Sequence, residues 1–346
     1  MGKRLHVLKD LDVGGIQTVL LDRLKHCSDE TIVCLGEGDL QDEFASLGAT
    51  FITKRFPYLD LRVVWKLRRF CIKNKISEVH AHHTSEGLSV WLATLATNIK
   101  YLQYFHVHPA VSNFQDNLVL KFLAKRCTRG VAPTNAQRSV LASYGYDVRK
   151  IGVEFNKVNL IRLRPKRDSL RVRMGIPKEA RLLVSIGNFY NATRDQFSIV
   201  QSLPIIFRKN PDVHMVFFGG HTNRYTPHSE SYERCKTFIE ESGIGDRVHF
   251  FGALSDAPQY LSQCDVFVYA TLGDTFGMAV VEALISGVPV VVNDHPVMRE
   301  VTGGLVPMYA TGAYGELASV VNDLLENPKA YPSAKIKEWA KQFQWM

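Results

Sequence analysis

The chain has 346 residues, of which 46% are hydrophobic and 22% charged, and its formal net charge is +8. This composition is typical of a globular protein and excludes a disordered or fibrous chain. No stretch of about 18 uncharged apolar residues occurs, which excludes a spanning helix. The length exceeds a usual domain of about 100 to 200 residues, so we expect two domains.

The six cysteines are scattered without a C-x-x-C pair, and this spacing predicts neither a disulfide framework nor a zinc site. The opening segment is basic, but Lys9, Asp10 and Asp12 interrupt its apolar run, unlike the core of a signal peptide. We therefore expect a cytoplasmic protein.

Strand-like apolar runs alternate with helix-like runs from end to end, which predicts parallel sheets covered by helices. The predicted strands cover residues 5–9, 32–35, 51–53, 78–82, 101–108, 130–133, 182–187, 214–219, 248–251, 266–269 and 288–292. The boundary between the two halves is predicted near residues 151–159. Because ligands of open parallel sheets bind outside the carboxyl ends of the strands, functional residues are expected in the loops that follow strands.

Basic residues cluster at 54–75, and again at 121–129, where they interleave with apolar residues. An amphipathic basic face of this kind favours a peripheral position on anionic lipid. The alternative is a solvated helix face in a basic protein.

The segment after the predicted strand at 266–269 carries the main candidate site. It reads T-L-G-D-T-F-G followed by M-A-V-V-E-A-L-I-S and Gly287, which predicts a helix from near Gly277 to a glycine stop. Glu282 is the one charged residue on this apolar helix, and a buried carboxylate needs partners, which the two hydroxyls of a ribose would supply.

The amides at the start of this helix, at Gly277, Met278 and Ala279, form a candidate diphosphate site through unpaired N–H groups and the helix dipole. Asp274 precedes them, where its carboxylate can orient a sugar beyond the phosphates. In the alternative interpretation Asp274 only caps the helix and Glu282 meets solvent.

The segment D-T-F-G-M-A-V-V-E-A-L-I-S-G-V-P-V-V resembles the E-x(7)-E signature of glycosyltransferase family 4. The resemblance implies the GT-B fold, in which two Rossmann-like, doubly wound parallel-sheet domains face a central cleft. It implies an acceptor-binding domain at 1–155, a nucleotide-sugar-binding domain at 156–330, and a C-terminal helix within 331–346 that can cross back to the first domain.

By the same resemblance Glu282 holds the ribose hydroxyls and Asp274, in place of the usual Glu, contacts the donor sugar. In L-L-V-S-I-G-N-F-Y-N-A-T-R-D, Arg194 stands where the family has a phosphate-binding Lys, and Asn188 stands where it has an Arg. Arg224 is a candidate to replace the charge that is lost at Asn188.

In the first half, the resemblance places Gly14 and Gly15 in a glycine loop near the donor phosphates. His108, with His106 in reserve, takes the place of the family's functional histidine at a strand end. His295 and further accessory positions line the donor pocket by the same comparison. These further positions are Phe276, Gly187, Gly219, Phe251 and Glu300.

Two metal-site interpretations are rejected. Asp10 and Asp12 form a D-x-D, but two carboxylates before a glycine turn do not make a site for a hard cation. In E-V-H-A-H-H, His80 and His82 share a strand face that His83 opposes, so the three do not converge on a metal.

The resulting prediction is a retaining, metal-independent glycosyltransferase that moves a hexosyl or N-acetylhexosaminyl group from a UDP- or GDP-sugar, without a cofactor. The acceptor is expected to be a lipid-linked or cell-surface glycan precursor, as in polysaccharide, lipopolysaccharide or capsule biosynthesis. The expected location is the cytoplasm, including the cytoplasmic face of the membrane.

Alternatives with the same fold are a nucleotide-sugar epimerase and a transferase that acts on a soluble sugar phosphate. A non-enzymatic basic binding protein for nucleic acid would leave Glu282 unexplained. A dehydrogenase is disfavoured because D-V-G-G-I-Q lacks the G-x-G-x-x-G pattern.

Overall fold

A computed structural model describes residues 2–56, 58–191, 193–221 and 229–345. Contacts divide the chain into two compact units, Met1–Lys157 and Val158–Met346. Each unit is built around a parallel sheet in the described part of the chain. The predicted fold class, α/β with two doubly wound parallel sheets, is confirmed.

The first unit has a sheet with the strand order β3-β2-β1-β4-β5-β6-β7. Its strands are β1 (Lys3–Leu8), β2 (Glu30–Cys34), β3 (Thr50–Phe51), β4 (Ile76–Ala81), β5 (Lys100–Tyr104), β6 (Arg129–Ala132) and β7 (Ile151–Val153). Its helices are α1 (Gly15–His26), α2 (Gln41–Ser46), α3 (Leu61–Lys73), α4 (Thr84–Thr94), α5 (Phe114–Arg126) and α6 (Asn135–Ser143).

Side-chain alternation along these strands separates two faces of the first sheet. Leu5 and Val7 of β1 belong to a large core formed with apolar residues of α3, α4, α5 and α6. Leu8 belongs to a smaller core that α1 and α2 form on the opposite face. His6 lies between Leu5 and Val7 and is therefore on this second face, where it is fully buried.

Capping side chains mark the first turns of several helices in the first unit. Asp60 caps α3 by accepting a hydrogen bond from the Arg62 amide at 3.1 Å, Asn113 caps α5, and Thr134 caps α6. Each of these residues is of a type that favours helix N-caps because a short side-chain oxygen can accept from the amide of the first turn.

The second unit has the strand order β10-β9-β8-β11-β12-β13. Its strands are β8 (Arg181–Ile186), β9 (Val213–Phe218), β10 (Val248–Gly252), β11 (Val266–Tyr269), β12 (Val290–Asn293) and β13 (Met308–Tyr309). Its helices are α7 (Leu170–Arg173), α8 (Gln196–Lys209), α9 (Glu230–Glu241), α10 (Met278–Ser286), α11 (Pro296–Thr302), α12 (Tyr314–Glu326) and α13 (Ser333–Ala340).

The C-terminal helix α13 lies against α10 and α11 within the second unit. Trp339 of α13 donates its indole N–H to the Val301 carbonyl of α11 at 2.8 Å. Beyond α13, the Val158 amide donates to the Phe343 carbonyl at 2.7 Å, which joins the two ends of the unit. No helix among the described residues is both long enough and apolar enough to cross a membrane.

Candidate active site

The strand order of each unit reverses next to its first strand, and this reversal fixes where a ligand site is expected. In the second unit the reversal lies between β8 and β11, which are neighbours in the sheet. Ligands of doubly wound sheets bind at such a point, outside the carboxyl ends of the strands. The loops after β8 and β11 hold most of the residues that the sequence predicts for the donor.

Helix α10 begins and ends as predicted. It covers Met278–Ser286 and is flanked by Gly277 and Gly287, both in the left-handed conformation that favours glycine. Among the described residues no side chain caps its first turn. The amides of Met278 and Ala279 therefore keep the unpaired character that makes a helix N-terminus an anion site.

Asp274 and Arg194 lie together beside this helix start. The Asp274 carboxylate accepts hydrogen bonds from the Arg194 guanidinium and from the Tyr269 hydroxyl. The Arg194 guanidinium carbon also lies 4.9 Å from the centre of the Tyr269 ring. Burial raises the pKa of Asp274, and the neighbouring Arg194 and His295 oppose that rise.

The position of Asp274 is set by hydrogen bonds between side chains and the backbone that run through Thr271. The Thr271 hydroxyl accepts from the Asp274 amide at 2.9 Å and donates to the Thr193 carbonyl at 2.9 Å. The Asn293 side chain at the end of β12 holds the Thr271 backbone through bonds of 2.9 and 2.8 Å. The loops that carry Asp274 and Arg194 are therefore tied to each other as well as to the sheet.

Glu282 is 3% exposed, so the interpretation in which it meets solvent is wrong. Its carboxylate lies 3.3 Å from the Arg162 guanidinium, whose side chain is 26% exposed. The buried carboxylate needs partners, as expected, and the chain itself supplies one of them in the Arg162 cation. Arg162 lies in the basic stretch before β8, 120 residues from Glu282, and no spacing pattern in the sequence connects the two.

The Asn188 side chain forms hydrogen bonds with the loops around it. Its amide oxygen accepts from the Gly220 amide at 2.8 Å, and its amide nitrogen donates to the Tyr190 hydroxyl at 3.0 Å. A Cβ on Gly219 would lie 2.1 Å from the Gly187 carbonyl oxygen, so the two loops touch through their backbones. Asn188 thus holds these two loops together. Arg224, the candidate to replace the charge lost at Asn188, lies outside the described residues.

The accessory positions of the second unit have different surroundings. Phe276 is buried and packs edge-on against Phe343, with ring centres 5.8 Å apart. Phe251 lies under the Arg173 guanidinium at 4.7 Å. His295 accepts from the Val297 amide at 3.3 Å and caps α11, the helix that contains Glu300.

In the first unit, Gly14 precedes α1 in an extended conformation and Gly15 is the first residue of that helix. Asp10, two residues beyond β1, accepts a hydrogen bond from the Gln17 side chain at 2.9 Å. The Asp10 carboxylate therefore helps to hold the loop that leads into α1.

The two candidate histidines differ in their partners. The His108 Nδ1 accepts from the Ala110 amide at 3.1 Å and so caps a turn, and burial lowers the pKa of this imidazole. The His106 Nε2 lies 3.0 Å from the His82 Nδ1. The family resemblance makes His108 the first candidate, whereas in the structure it is His106 that bonds to another histidine side chain.

Comparison with protein families identifies both halves of the chain. The family model "Glycosyl transferases group 1" matches residues 166–343, and "Glycosyltransferase Family 4" matches residues 13–162. The chain belongs to the glycosyl transferases group 1 family. The resemblance to glycosyltransferase family 4 is thereby confirmed over nearly the whole length.

Curated relatives of this glycosyltransferase family member are distant. It is 23% identical to mannosylfructose-phosphate synthase of Agrobacterium fabrum over 220 residues, which are 62% of this chain and 48% of that protein. It is 23% identical to phosphatidyl-myo-inositol mannosyltransferase of Mycobacterium leprae over 296 residues, which are 81% of this chain and 73% of that protein. The first match thus spans about half the length of that relative.

Solved structures confirm the GT-B fold. HepE of Anabaena, crystallised with UDP and glucose, superposes with a TM-score of 0.85 at 17% identity, over 99% of this chain and 96% of that one. A glycosyltransferase of Rickettsia africae gives a TM-score of 0.82 at 16% identity, over 99% and 94% of the two chains. At this level of identity the likeness establishes the fold.

Proposed function

We propose that the chain transfers a hexosyl or N-acetylhexosaminyl group from a UDP- or GDP-sugar to an acceptor hydroxyl, with retention of the anomeric configuration. The observation that carries this proposal is the contact of Arg194 with Asp274 beside the uncapped start of α10. Crystals of HepE with UDP and with UDP-glucose make a uridine donor the first to test.

The proposed mechanism is electrostatic. The bond from the anomeric carbon to the diphosphate breaks while the acceptor oxygen forms its bond to the same carbon, and the acceptor proton leaves with the diphosphate. Arg194 and the amides of Met278 and Ala279 stabilise the departing charge without a metal ion. Asp274, released from Arg194 as phosphate takes its place, then accepts from sugar hydroxyls.

A panel of UDP- and GDP-sugars tests this proposal by thermal unfolding and by release of nucleotide. A bound donor at 100 times its Kd should stabilise the folded chain by about 2.7 kcal/mol, because it binds only the native state. Glu282→Ala should lose most of that stabilisation, and Asp274→Ala should lose the part that the sugar contributes. The proposal fails if no nucleotide sugar stabilises the wild type, or if both variants respond as the wild type does.

We further propose that the acceptor is a lipid-linked or cell-surface glycan precursor presented at the cytoplasmic face of a membrane. An exposed strip of α3 supports this and is called the α3 strip here. It mixes large apolar with basic side chains on one helix face, comprising Leu61, Arg62, Trp65, Lys66, Arg69, Ile72 and Lys73. Leu61 is 70% exposed, Trp65 56% and Ile72 61%, which suits insertion among lipid headgroups.

Helix α5 adds to the same apolar and basic character. Its Phe114 is 82% exposed and its Leu118 60%, and exposed Lys125 and Arg126 follow in its last turn. Helix α4 packs against both α3 and α5, so the three lie in one layer. Basic side chains near an anionic surface contribute about 1 kcal/mol each.

Flotation with vesicles of phosphatidylcholine and phosphatidylglycerol should carry the protein upward, and added salt should reduce this binding. Replacing Trp65 and Ile72 with serine, or Lys66 and Arg69 with alanine, should weaken it because each pair belongs to the α3 strip. Val172→Ser is the matched control, since Val172 is 80% exposed in the second unit. Equal flotation of all variants, or none by the wild type, would contradict the proposal.

A soluble sugar phosphate is the second candidate acceptor. The observation in its favour is the similarity to proteins named mannosylfructose-phosphate synthase and D-inositol 3-phosphate glycosyltransferase. Incubation of the wild type with a radiolabelled donor, followed by partition between butanol and water, separates the two candidates. Label in the butanol phase supports a lipid-linked acceptor, and label on a water-soluble phosphate supports the second candidate.

A further inference from the structure

Three histidines and a glutamate form a continuous hydrogen-bonded row across the first sheet. The row, here called the imidazole relay, consists of Glu30, His6, His82 and His106. The Glu30 carboxylate lies 3.1 Å from the His6 Nε2, and the His6 Nδ1 lies 3.0 Å from the His82 Nε2. The His82 Nδ1 lies 3.0 Å from the His106 Nε2.

The imidazole rings meet edge to edge. The rings of His6 and His82 are within 25° of parallel, and those of His82 and His106 within 14°. Their centres are 5.2 and 5.3 Å apart, much farther than the nitrogens that face each other. Each contact is therefore an in-plane N–H···N hydrogen bond, the direction in which the ring nitrogens donate and accept.

The charge at one end of the imidazole relay is fixed. Arg4 donates to Glu30 at 2.9 Å, and Arg23 donates to it through two nitrogens at 2.7 and 3.1 Å. Burial opposes ionisation of Glu30, but the hydrogen bonds from His6 and Arg23 outweigh it and hold the pKa of this carboxyl well below its usual range. Glu30 is therefore an ionised acceptor with no proton to donate.

Burial favours the neutral form of all three imidazoles. Burial lowers the pKa of His6 to about 3 and that of His106 to about 3. Burial and the neighbouring histidines lower the pKa of His82 well below its usual value. A neutral imidazole has one N–H donor and one acceptor nitrogen, so each ring must donate on one side and accept on the other.

Only one arrangement of protons satisfies all these contacts. The His6 Nε2 must donate to Glu30, so the His6 Nδ1 accepts from the His82 Nε2. The His82 Nδ1 then accepts from the His106 Nε2, which leaves the lone pair of His106 on Nδ1. We propose that Glu30, His6 and His82 are positioning residues that hold His106 in this single tautomer.

The imidazole relay connects the two ends of the sheet. Glu30 is the first residue of β2, and it pairs in register with Arg4 near the start of β1. His82 directly follows β4, and His106 is two residues beyond β5. The ionised end thus lies at the amino end of the strands, and the ordered imidazole lies at the carboxyl end, where ligands of parallel sheets bind.

The consequence for catalysis rests on the proposed sugar transfer. The ordered His106 ring would present one fixed acceptor nitrogen at the carboxyl end of the first sheet, without a search among tautomers. Preorganised groups of this kind act because they need no rearrangement as charge develops. The relay sets the tautomer from one side, as a carboxylate does in a catalytic triad.

Nitrogen-15 NMR of the histidine side chains in the full chain tests the tautomer without any substrate. The wild type should show the proton on Nε2 of His6, His82 and His106. Observation of the Nδ1–H tautomer at His106, or of an averaged mixture, overturns the proposal. Because this readout needs no turnover, its failure is distinct from failure of the proposed transferase activity.

Variants at position 82 test the link to turnover. Leucine has neither donor nor acceptor, so His82→Leu should leave His106 in mixed tautomers and lower kcat by at least about tenfold. His82→Gln should restore much of kcat and much of the single His106 tautomer. Its side-chain amide can donate to His6 and accept from His106, as the imidazole does. His80→Gln is the matched control on the same strand face, since His80 bonds Glu78 at 2.6 Å outside the relay. Equal kcat and tautomer in His82→Leu and wild type would refute the proposal.

Discussion

Arg194→Ala is expected to lower kcat/KM for sugar transfer by about 100- to 1,000-fold, the usual loss when one preorganised donor to a developing charge is removed. The guanidinium combines a hydrogen bond to Asp274 with a position over the Tyr269 ring. Its Nε is buried and has no hydrogen-bond partner among the described residues. Initial rates with a donor identified by thermal stabilisation provide the measurement.

A set of variants separates the charge of Arg194 from its support of Asp274. Arg194→Lys keeps a positive charge but loses the fork, and it should recover part of the lost rate. Asp274→Asn leaves Arg194 without its ionic partner, so nucleoside diphosphate binding should be retained while kcat falls. If Arg194→Ala and Asp274→Asn both reduced only thermal stability, with unchanged kcat/KM, the pair would be structural.

Glu282→Gln is expected to weaken binding of the free nucleoside diphosphate by about 10- to 100-fold, because a buried carboxylate is a strong acceptor for two ribose hydroxyls. The same change should cost about 2 kcal/mol of unfolding free energy. This is less than the about 3–5 kcal/mol of a fully buried pair, because Arg162 keeps contact with water. Calorimetric titration and denaturant unfolding measure the two effects.

The double variant Arg162→Met/Glu282→Gln decides between a structural and a binding role. Removing both charges leaves neither unpaired, so the unfolding free energy should return toward the wild-type value. Nucleotide affinity should stay low, because the carboxylate is still missing. Recovery of affinity together with stability would show that Glu282 serves Arg162 alone and would refute ribose binding.

The sequence alone predicted the main local features of the candidate site in the second unit. The apolar run between Gly277 and Gly287 predicts α10 because glycine punctuation and helical periodicity are local signals. The same segment identifies Asp274 as a candidate site residue, because it lies just before the predicted helix start. The edge strands β7 and β13 were not predicted, because they have three and two residues and depend on pairing with distant strands.

The sequence could not predict which side chains contact each other across the sheet. Alternation correctly puts His80 and His82 on one face, but only the strand order brings His6 and His106 to the same row. The contact of Arg194 with Asp274 joins residues 80 positions apart, and no periodic pattern encodes such a distance. Tyr269 was missed for a related reason, since as a buried strand residue it has the sequence signature of core packing.

The packing of Phe276 on Phe343 has a consequence for how this family member can change over time. Phe276 immediately precedes Gly277, and Phe343 is fully buried in the C-terminal segment. A larger or smaller ring at either position would shift the loop before α10, unless the ring at the other position changed in the opposite sense. Residues 276 and 343 should therefore covary, which couples sequence change near residue 343 to the loop before α10.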